Sequence, residues 1–178
     1  MDASIGAKYF SKLDLRSGYY QIPMYEEHKE RTAFTAGPLG FYEFNSMPMG
    51  TSNATATFQR LMQQCLGNMH LKECVVFLDD ILVHSPNFES HLIRLRNVFQ
   101  RLRDCGLKLK PSKCEFLKTK CVYLGHVVSE EGISTDPSKI EKVKNWKVPD
   151  NSKELASFQG TSFILRVPKF LQMLCEGI

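Results

Sequence analysis

Apolar and polar residues alternate through Tyr9-Phe10-Ser11-Lys12-Leu13-Asp14-Leu15, the period of a strand with one face against a core. Ser17-Gly18 breaks the alternation, and an extended pattern resumes over residues 19–24. The charged run Glu26-Glu27-His28-Lys29-Glu30 reads as a surface turn or short helix. Residues 32–35 and 41–44 predict paired strands, because Gly37, Pro38 and Gly40 between them favour a turn. Ser52 or Asn53 can cap a helix that runs to about Leu66 and stops at Gly67-Asn68. Within it Ala54, Phe58, Leu61, Met62 and Cys65 recur at helical spacing. Cys74-Val75-Val76-Phe77-Leu78 and Ile81-Leu82-Val83 predict a hairpin of two buried strands with Asp79-Asp80 at its tip. The clearest helix spans 88–105, with Leu92, Leu95, Val98, Phe99 and Leu102 on one face and Gly106 ending it. An extended piece at 107–110, a strand pair within 122–128 and two short helices at 137–146 and 152–159 follow. The mixture predicts an α+β domain, a mainly antiparallel sheet covered by helices on one face, with periodicity fading after Thr161.

At 178 residues the chain is long enough for one domain with a core, and its 43% hydrophobic and 24% charged content is that of a globular protein. A net charge of +4 is compatible with a nucleic-acid partner without establishing one. The absence of any run of about 18 apolar residues argues against a membrane span. The N-terminus lacks the basic flank and apolar stretch of a secretory signal, so an intracellular, cytoplasmic or nuclear, location is expected. The six cysteines form no CxxC pair and read as scattered reduced thiols. The spacing of Cys114, Cys121 and His126 fits no common zinc pattern.

Phe77-Leu78-Asp79-Asp80-Ile81 sets two adjacent carboxylates between strongly apolar strands. Like charges repel there, and partial burial raises the cost. A divalent cation, which prefers hard oxygen ligands, would remove that cost; a polar surface turn is the other reading of the same pair. Asp14 adds a third carboxylate at the end of its own strand, although alone it reads equally as a turn or cap residue. A strand-end aspartate opposite a hairpin-tip pair is one way to hold two cations. One lowers the pKa of an attacking hydroxyl, and the other steadies the leaving phosphate oxygens.

The order of segments carries a resemblance. It runs from Leu13-Asp14-Leu15-Arg16-Ser17-Gly18-Tyr19-Tyr20-Gln21-Ile22 through Arg31-Thr32-Ala33-Phe34-Thr35, Phe41-Tyr42-Glu43-Phe44 and Met47-Pro48-Met49-Gly50. Asn53-Ala54-Thr55-Ala56-Thr57-Phe58-Gln59-Arg60-Leu61-Met62, Phe77-Leu78-Asp79-Asp80, Gly106-Leu107-Lys108-Leu109, Lys113-Cys114-Glu115-Phe116 and Tyr123-Leu124-Gly125-His126 complete it. Over roughly residues 8–160 the series resembles the reverse transcriptase domain of gypsy-type LTR retrotransposons. The resemblance implies a polymerase palm with partial fingers over 1–160, no complete thumb, and a divergent tail over 161–178. It implies RNA-directed DNA polymerase chemistry on a primed RNA or DNA template with deoxynucleoside triphosphates and Mg2+ or Mn2+. Ribonuclease H and integrase of a pol polyprotein are the implied neighbours. Asp14, Asp79 and Asp80 would be the catalytic metal ligands. Tyr19 would crowd a ribose 2′-hydroxyl, although by itself it reads as a core tyrosine. Met49 and Gly50 would line the nucleotide pocket, Lys113 would assist the leaving pyrophosphate, and Tyr123, Leu124 and Gly125 would grip the primer end. Lys108, Lys110 and Lys118 read either as phosphate contacts or as a solvated face.

The chain departs from the family pattern in carrying Thr55 where proline is common and Phe77 where tyrosine is common. Only thirteen positions precede Asp14, where family members usually have a fingers segment with basic residues. After Phe158 the aromatic, arginine-rich continuation of the family is replaced by Gln159-Gly160-Thr161-Ser162-Phe163-Ile164. Two classes follow: the palm of a larger polymerase, favoured by the three aspartates, and an inactive remnant that at most binds nucleic acid.

Overall fold

The computed structural model describes residues 6–137, 141 and 149–164. In chain order the elements are β1 (Tyr9–Asp14), α1 (Glu26–Lys29), β2 (Phe34–Thr35), β3 (Phe41–Tyr42), α2 (Ala54–Leu66), β4 (Cys74–Phe77) and β5 (Asp80–Ser85). They continue with α3 (Phe88–Asp104), β6 (Glu115–Lys118), β7 (Lys120–Tyr123), β8 (His126–Ser129), β9 (Gly132–Thr135) and α4 (Ser152–Ile164). Beyond residue 164 the tail expected over 161–178 lies outside the described residues, as does most of the helix expected at 137–146.

The two-residue period of β1 divides the molecule. It lies inside an antiparallel sheet ordered β4-β5-β1-β6. Leu13, with Ile81 and Val83 of β5 and Cys74 and Val76 of β4, meets Phe58, Met62 and Leu66 of α2 and Leu95, Val98 and Leu102 of α3. The alternate positions, Phe10, Leu82 and Val75, pack against Cys121, Tyr123 and Val128. These last come from β7 and β8 of a second antiparallel sheet, β7-β8-β9. The expected helices thus cover one face, and a second sheet covers the other. Full burial of a side chain such as Phe58 or Leu66 contributes roughly 2 kcal/mol, so both faces are needed for stability.

Helix α3 is ended as its sequence predicts. Asn87 caps its start by accepting Ser90 N–H at 2.9 Å. At the other end Gly106 takes φ +70°, Gly106 N–H donates to Arg103 at 3.0 Å, and Leu107 N–H to Leu102 at 2.8 Å. That pair of bonds is a Schellman motif, and it turns Leu107 into the core. The buried stripe is His91, Leu95, Val98 and Leu102, whereas Leu92 and Phe99 are exposed. A histidine therefore occupies the place expected for Leu92. Its ring is satisfied on both sides by serines, Nε2 to Ser11 Oγ at 2.7 Å and Nδ1 to Ser85 Oγ at 2.8 Å. Leu117 N–H donates to Ser11 Oγ, and Ser85 Oγ donates to the Asn87 carbonyl. With its hydrogen given to Asn87, Ser85 accepts from Nδ1–H, and Nε2 of the neutral ring then accepts from Ser11.

The extended segment expected at 19–24 is largely a 3-10 turn, Gly18–Gln21. The cause is tertiary. A Cβ on Gly18 would stand 2.7 Å from Phe58 Cζ, so only glycine lets the chain bend there against α2. Pairing survives downstream, where Met24 N–H donates to Asn45 O and Met47 N–H to Ile22 O. Asn53 stands at the N-cap of α2 but makes no side-chain capping bond. The β2–β3 pair forms as expected, with Thr35 opposite Phe41. Cysteines 65, 74, 105, 114 and 121 are free thiols.

His84 and His91 make the fold acid-sensitive. Burial pushes the His84 imidazole down to about 4, with the Arg94 guanidinium adding to it, and His91 is lowered for the same two reasons. Both rings are neutral when folded, while in the unfolded chain they take up a proton near the ordinary 6.5. The contribution of His84 is complete above pH 6.5 and is lost as pH falls toward about 4, and the lowered pKa of His91 acts in the same direction. For His84 the loss across that window is on the order of 3 kcal/mol. Urea titrations at several pH values should show it, and His84→Leu should flatten the profile. An unchanged slope in that variant would remove His84 as the cause.

Candidate active site

Antiparallel register sets the site. Asp14, the last residue of β1, pairs directly with Asp80, the first of β5. Directly opposed residues point to the same face with Cβ atoms about 5 Å apart, a repulsive arrangement for two carboxylates. Each is met by a lysine. Lys12, two residues back on the same face of β1, reaches Asp80 at 3.6 Å, and Lys113 reaches Asp14 at 3.5 Å. Burial raises the Asp80 pKa; Lys12 counters this, and the charges of Asp79 and Asp14 reinforce it.

Asp79 lies in the tip of the β4–β5 hairpin. Phe77 pairs with Asp80, which leaves a two-residue turn of Leu78 and Asp79. Leu78 has φ +53°, a left-handed conformation that hairpin turns of this length demand and that glycine or asparagine usually supplies. The tip is fastened at several points. Gln59 Oε1 of α2 accepts Leu78 N–H at 2.9 Å, and Leu15 N–H points to Asp79 O at 3.4 Å. From the other sheet Tyr123 hydroxyl lies 3.3 Å from Val75 O and 3.2 Å from Asp80 O, within donating distance of both.

The loop after Asp14 is held with equal care. Arg16 N–H donates to Lys108 O and Lys110 N–H to Asp14 O, each at 2.9 Å, so residues 108–110 extend the pairing of β1. The Gln21 amide closes the arrangement: Nε2 donates to Arg16 O and Lys108 O, and Oε1 accepts Lys108 N–H at 2.6 Å. Between these segments opens a pocket of about 510 Å3, lined by Asp14, Asp79, Arg16, Met49, Lys110 and Lys113 among others. Tyr19 stacks against Phe58 with ring centroids 5.1 Å apart, and its hydroxyl is 3.4 Å from Thr55 Oγ1. The residue that departs from the family's proline is therefore the polar neighbour of Tyr19.

Asp14, Asp79, Met49 and Lys113 thus meet at one pocket. Asp80 is adjacent but outside its wall, turned to Lys12. Gly50 follows Met49 with φ +92°. Tyr123, expected at the primer end, is fully buried, and Leu124 is partly buried against the same cluster. Leu124 and Gly125 form a tight turn, both at positive φ. Sequence reasoning missed Lys12, Gln21 and Gln59, whose side chains acquire their roles only through partners distant in the chain.

A family profile described as "Reverse transcriptase (RNA-dependent DNA polymerase)" matches residues 1–128. The chain belongs to the reverse transcriptase family. It is 41% identical over 164 residues to the retrovirus-related Pol polyprotein from transposon 297 of Drosophila melanogaster, covering 90% of this chain and 15% of that protein. It is 36% identical over 170 residues to the transposon Tf2-3 polyprotein of Schizosaccharomyces pombe, covering 94% of this chain and 13% of that one. The chain therefore spans about a seventh of the length of these relatives. Among solved structures, the foamy viral protease-reverse transcriptase in complex with dsDNA matches 86% of this chain and 32% of that one, with TM-score 0.78 and 27% identity. The same viral protein in complex with an RNA/DNA hybrid matches 89% of this chain and 21% of that one, also at TM-score 0.78 and 27% identity. The mixed helix and antiparallel sheet is thus the palm and fingers arrangement of reverse transcriptases. Among the described residues of this reverse transcriptase chain, no helix is long and apolar enough to cross a membrane.

The contact of Gly18 with Phe58 supports the pocket wall beneath Tyr19. Gly18→Ala should overpack it and destabilise the chain by about 1–3 kcal/mol, read as a lower urea midpoint. A midpoint equal to the parent's would mean that α2 yields freely there.

Proposed function

We propose that the pocket carries out RNA-directed DNA polymerisation by two-metal nucleotidyl transfer to a primer 3′-hydroxyl, as in a gypsy-type retrotransposon pol polyprotein. The observation that carries this reading is the placement of Asp14 and Asp79 on one open pocket together with Arg16, Lys110 and Lys113. Carboxylates and cationic side chains on a single wall suit a ligand that brings both metal ions and phosphates.

The donor set fits Mg2+ or Mn2+. Burial raises the Asp80 pKa, and the charges of both Asp79 and Asp14 add to the rise. Among the described residues no three acidic, histidine or cysteine side chains form a ready ligand cage. Mg2+ is commonly held by one or two carboxylates plus substrate phosphates, and Asp14 and Asp79 on the pocket wall could supply the carboxylates. Asp14 and Asp79 would hold the ions, with Asp80 beside them. The chemistry supplied at that site would be positive charge, to lower the pKa of the primer hydroxyl and offset the charge of the leaving pyrophosphate.

The protein's own groups supply the positioning. Lys113 and Lys110 line the pocket, where they would bind triphosphate oxygens. Tyr19, braced by Phe58, would present its ring to the sugar and disfavour a 2′-hydroxyl. The turn at Leu124 and Gly125 would meet the primer backbone. The template would be RNA or DNA, consistent with the duplexes named for the foamy viral structures.

Calorimetric titration of the chain with Mn2+, followed by primer extension with Mg2+ or Mn2+, tests the reading. Asp79→Asn should weaken cation binding about tenfold or more and abolish extension. Tyr19→Val should raise the ratio of ribonucleotide to deoxynucleotide incorporation. Cation binding that ignores Asp79→Asn would sink the metal assignment. Cation binding without any extension would identify an inactive remnant that keeps the site.

A further inference from the structure

The turn that carries Asp79 has a backbone its own sequence does not favour. Leu78 is held at φ +53° in a two-residue hairpin turn, where a branched side chain has no reason of its own to stay. Two neighbouring side chains of α2 bracket the pocket at this point. Phe58 backs Gly18 and Tyr19 on one side, and Gln59 reaches the tip on the other. The Gln59 carboxamide accepts the Leu78 N–H at 2.9 Å, and Leu78 is itself packed against the helix-side core. The turn backbone is otherwise met by a long contact from Leu15 N–H to Asp79 O, at 3.4 Å.

We propose that Gln59 is a positioning residue for the aspartate turn: its carboxamide holds Leu78 in the left-handed conformation and so aims the Asp79 carboxylate into the pocket. Rotation of Leu78 back to negative φ would turn the following peptide and swing Asp79 away from Asp14. The proposal rests on Asp79 being a cation ligand only for its consequence, because the Gln59–Leu78 bond itself can be measured without any cation.

Four variants of the full chain test it: Gln59→Ala, Gln59→Glu, which keeps an acceptor oxygen at similar reach, Leu78→Gly, and Gln59→Ala combined with Leu78→Gly. Amide hydrogen exchange reads the bond directly. In Gln59→Ala the Leu78 amide should exchange about three- to tenfold faster, the equivalent of one hydrogen bond, while the amides of Val76 and Ile81 keep their protection. In Gln59→Glu the protection at Leu78 should persist. Mn2+ titration reads the consequence. Gln59→Ala should weaken binding by a similar factor, about three- to tenfold. Glycine enters left-handed conformations without strain, so in the Leu78→Gly background Gln59→Ala should change affinity less than about twofold. Faster exchange spread evenly over β4 and β5 would mean that Gln59 only stabilises the hairpin, and equal losses of affinity in both backgrounds would overturn the positioning role. A parent chain that binds no Mn2+ would defeat the metal reading alone, and the exchange measurement would still decide what Gln59 does.

Discussion

The repulsion between Asp14 and Asp80 is the constraint around which this molecule is arranged. The register of β1 against β5 puts the two carboxylates directly opposite each other, and no rotamer can separate them far. Register slippage would relieve the repulsion only by turning every apolar side chain of β1 to the wrong face. Leu13 and Phe10, each with no exposed surface and each in a different core cluster, prevent that. The apolar packing of both sheet faces thus forces an unfavourable charge pair to persist. Lys12 and Lys113 offset it in the structure as it stands. A lysine contact that is half exposed, as at Lys113, is weak and easily exchanged for a stronger cation.

From that pair outward, each support acts on the backbone rather than on the carboxylates. Gln21 bonds the main chain after Asp14 to residue 108, Gln59 bonds the turn before Asp79, and Tyr123 bonds the carbonyls at the base of the same hairpin. Among the described residues, the carboxylates of Asp14 and Asp80 are met by lysines. Tyr123 also makes the turn at Leu124 and Gly125 mechanically continuous with the aspartate hairpin, because its hydroxyl crosses from one sheet to the other.

Much of this was legible in the sequence, for identifiable reasons. The hairpin around Asp79 and Asp80 and the helix beginning at Phe88 announce themselves by apolar runs, a helical stripe and a stop at Gly106. The meeting of Asp14 with Asp79 at one pocket followed from strand ends and from the order of motifs. What escaped depends on contacts that no local period encodes. His91 sits on the buried stripe of α3, but a polar residue there looks like a solvent position until Ser11 and Ser85 are seen on either side. Residues 19–21 read as extended, because nothing in their neighbourhood reveals Phe58 pressing on Gly18 from 40 residues away. Tyr123 drew its expected place at the primer end from its motif, and nothing local revealed that the packing of two sheets buries its ring.

The strain at Leu78 bears on why a site of this kind uses such a turn at all. A glycine would form the hairpin without cost but would leave the position of Asp79 to a flexible backbone. A leucine at φ +53° is tolerable only because α2, β1 and the core together over-determine it. The same packing that makes the conformation affordable removes the alternatives, so the aspartate is held in one place before any ligand arrives. Preorganisation matters most where charge must be met at a fixed distance, since electrostatic stabilisation that has to wait for backbone movement loses much of its value. The strained turn and the like-charged pair are therefore two parts of one arrangement, each unfavourable alone and each kept in place by the cores on the two faces of the central sheet.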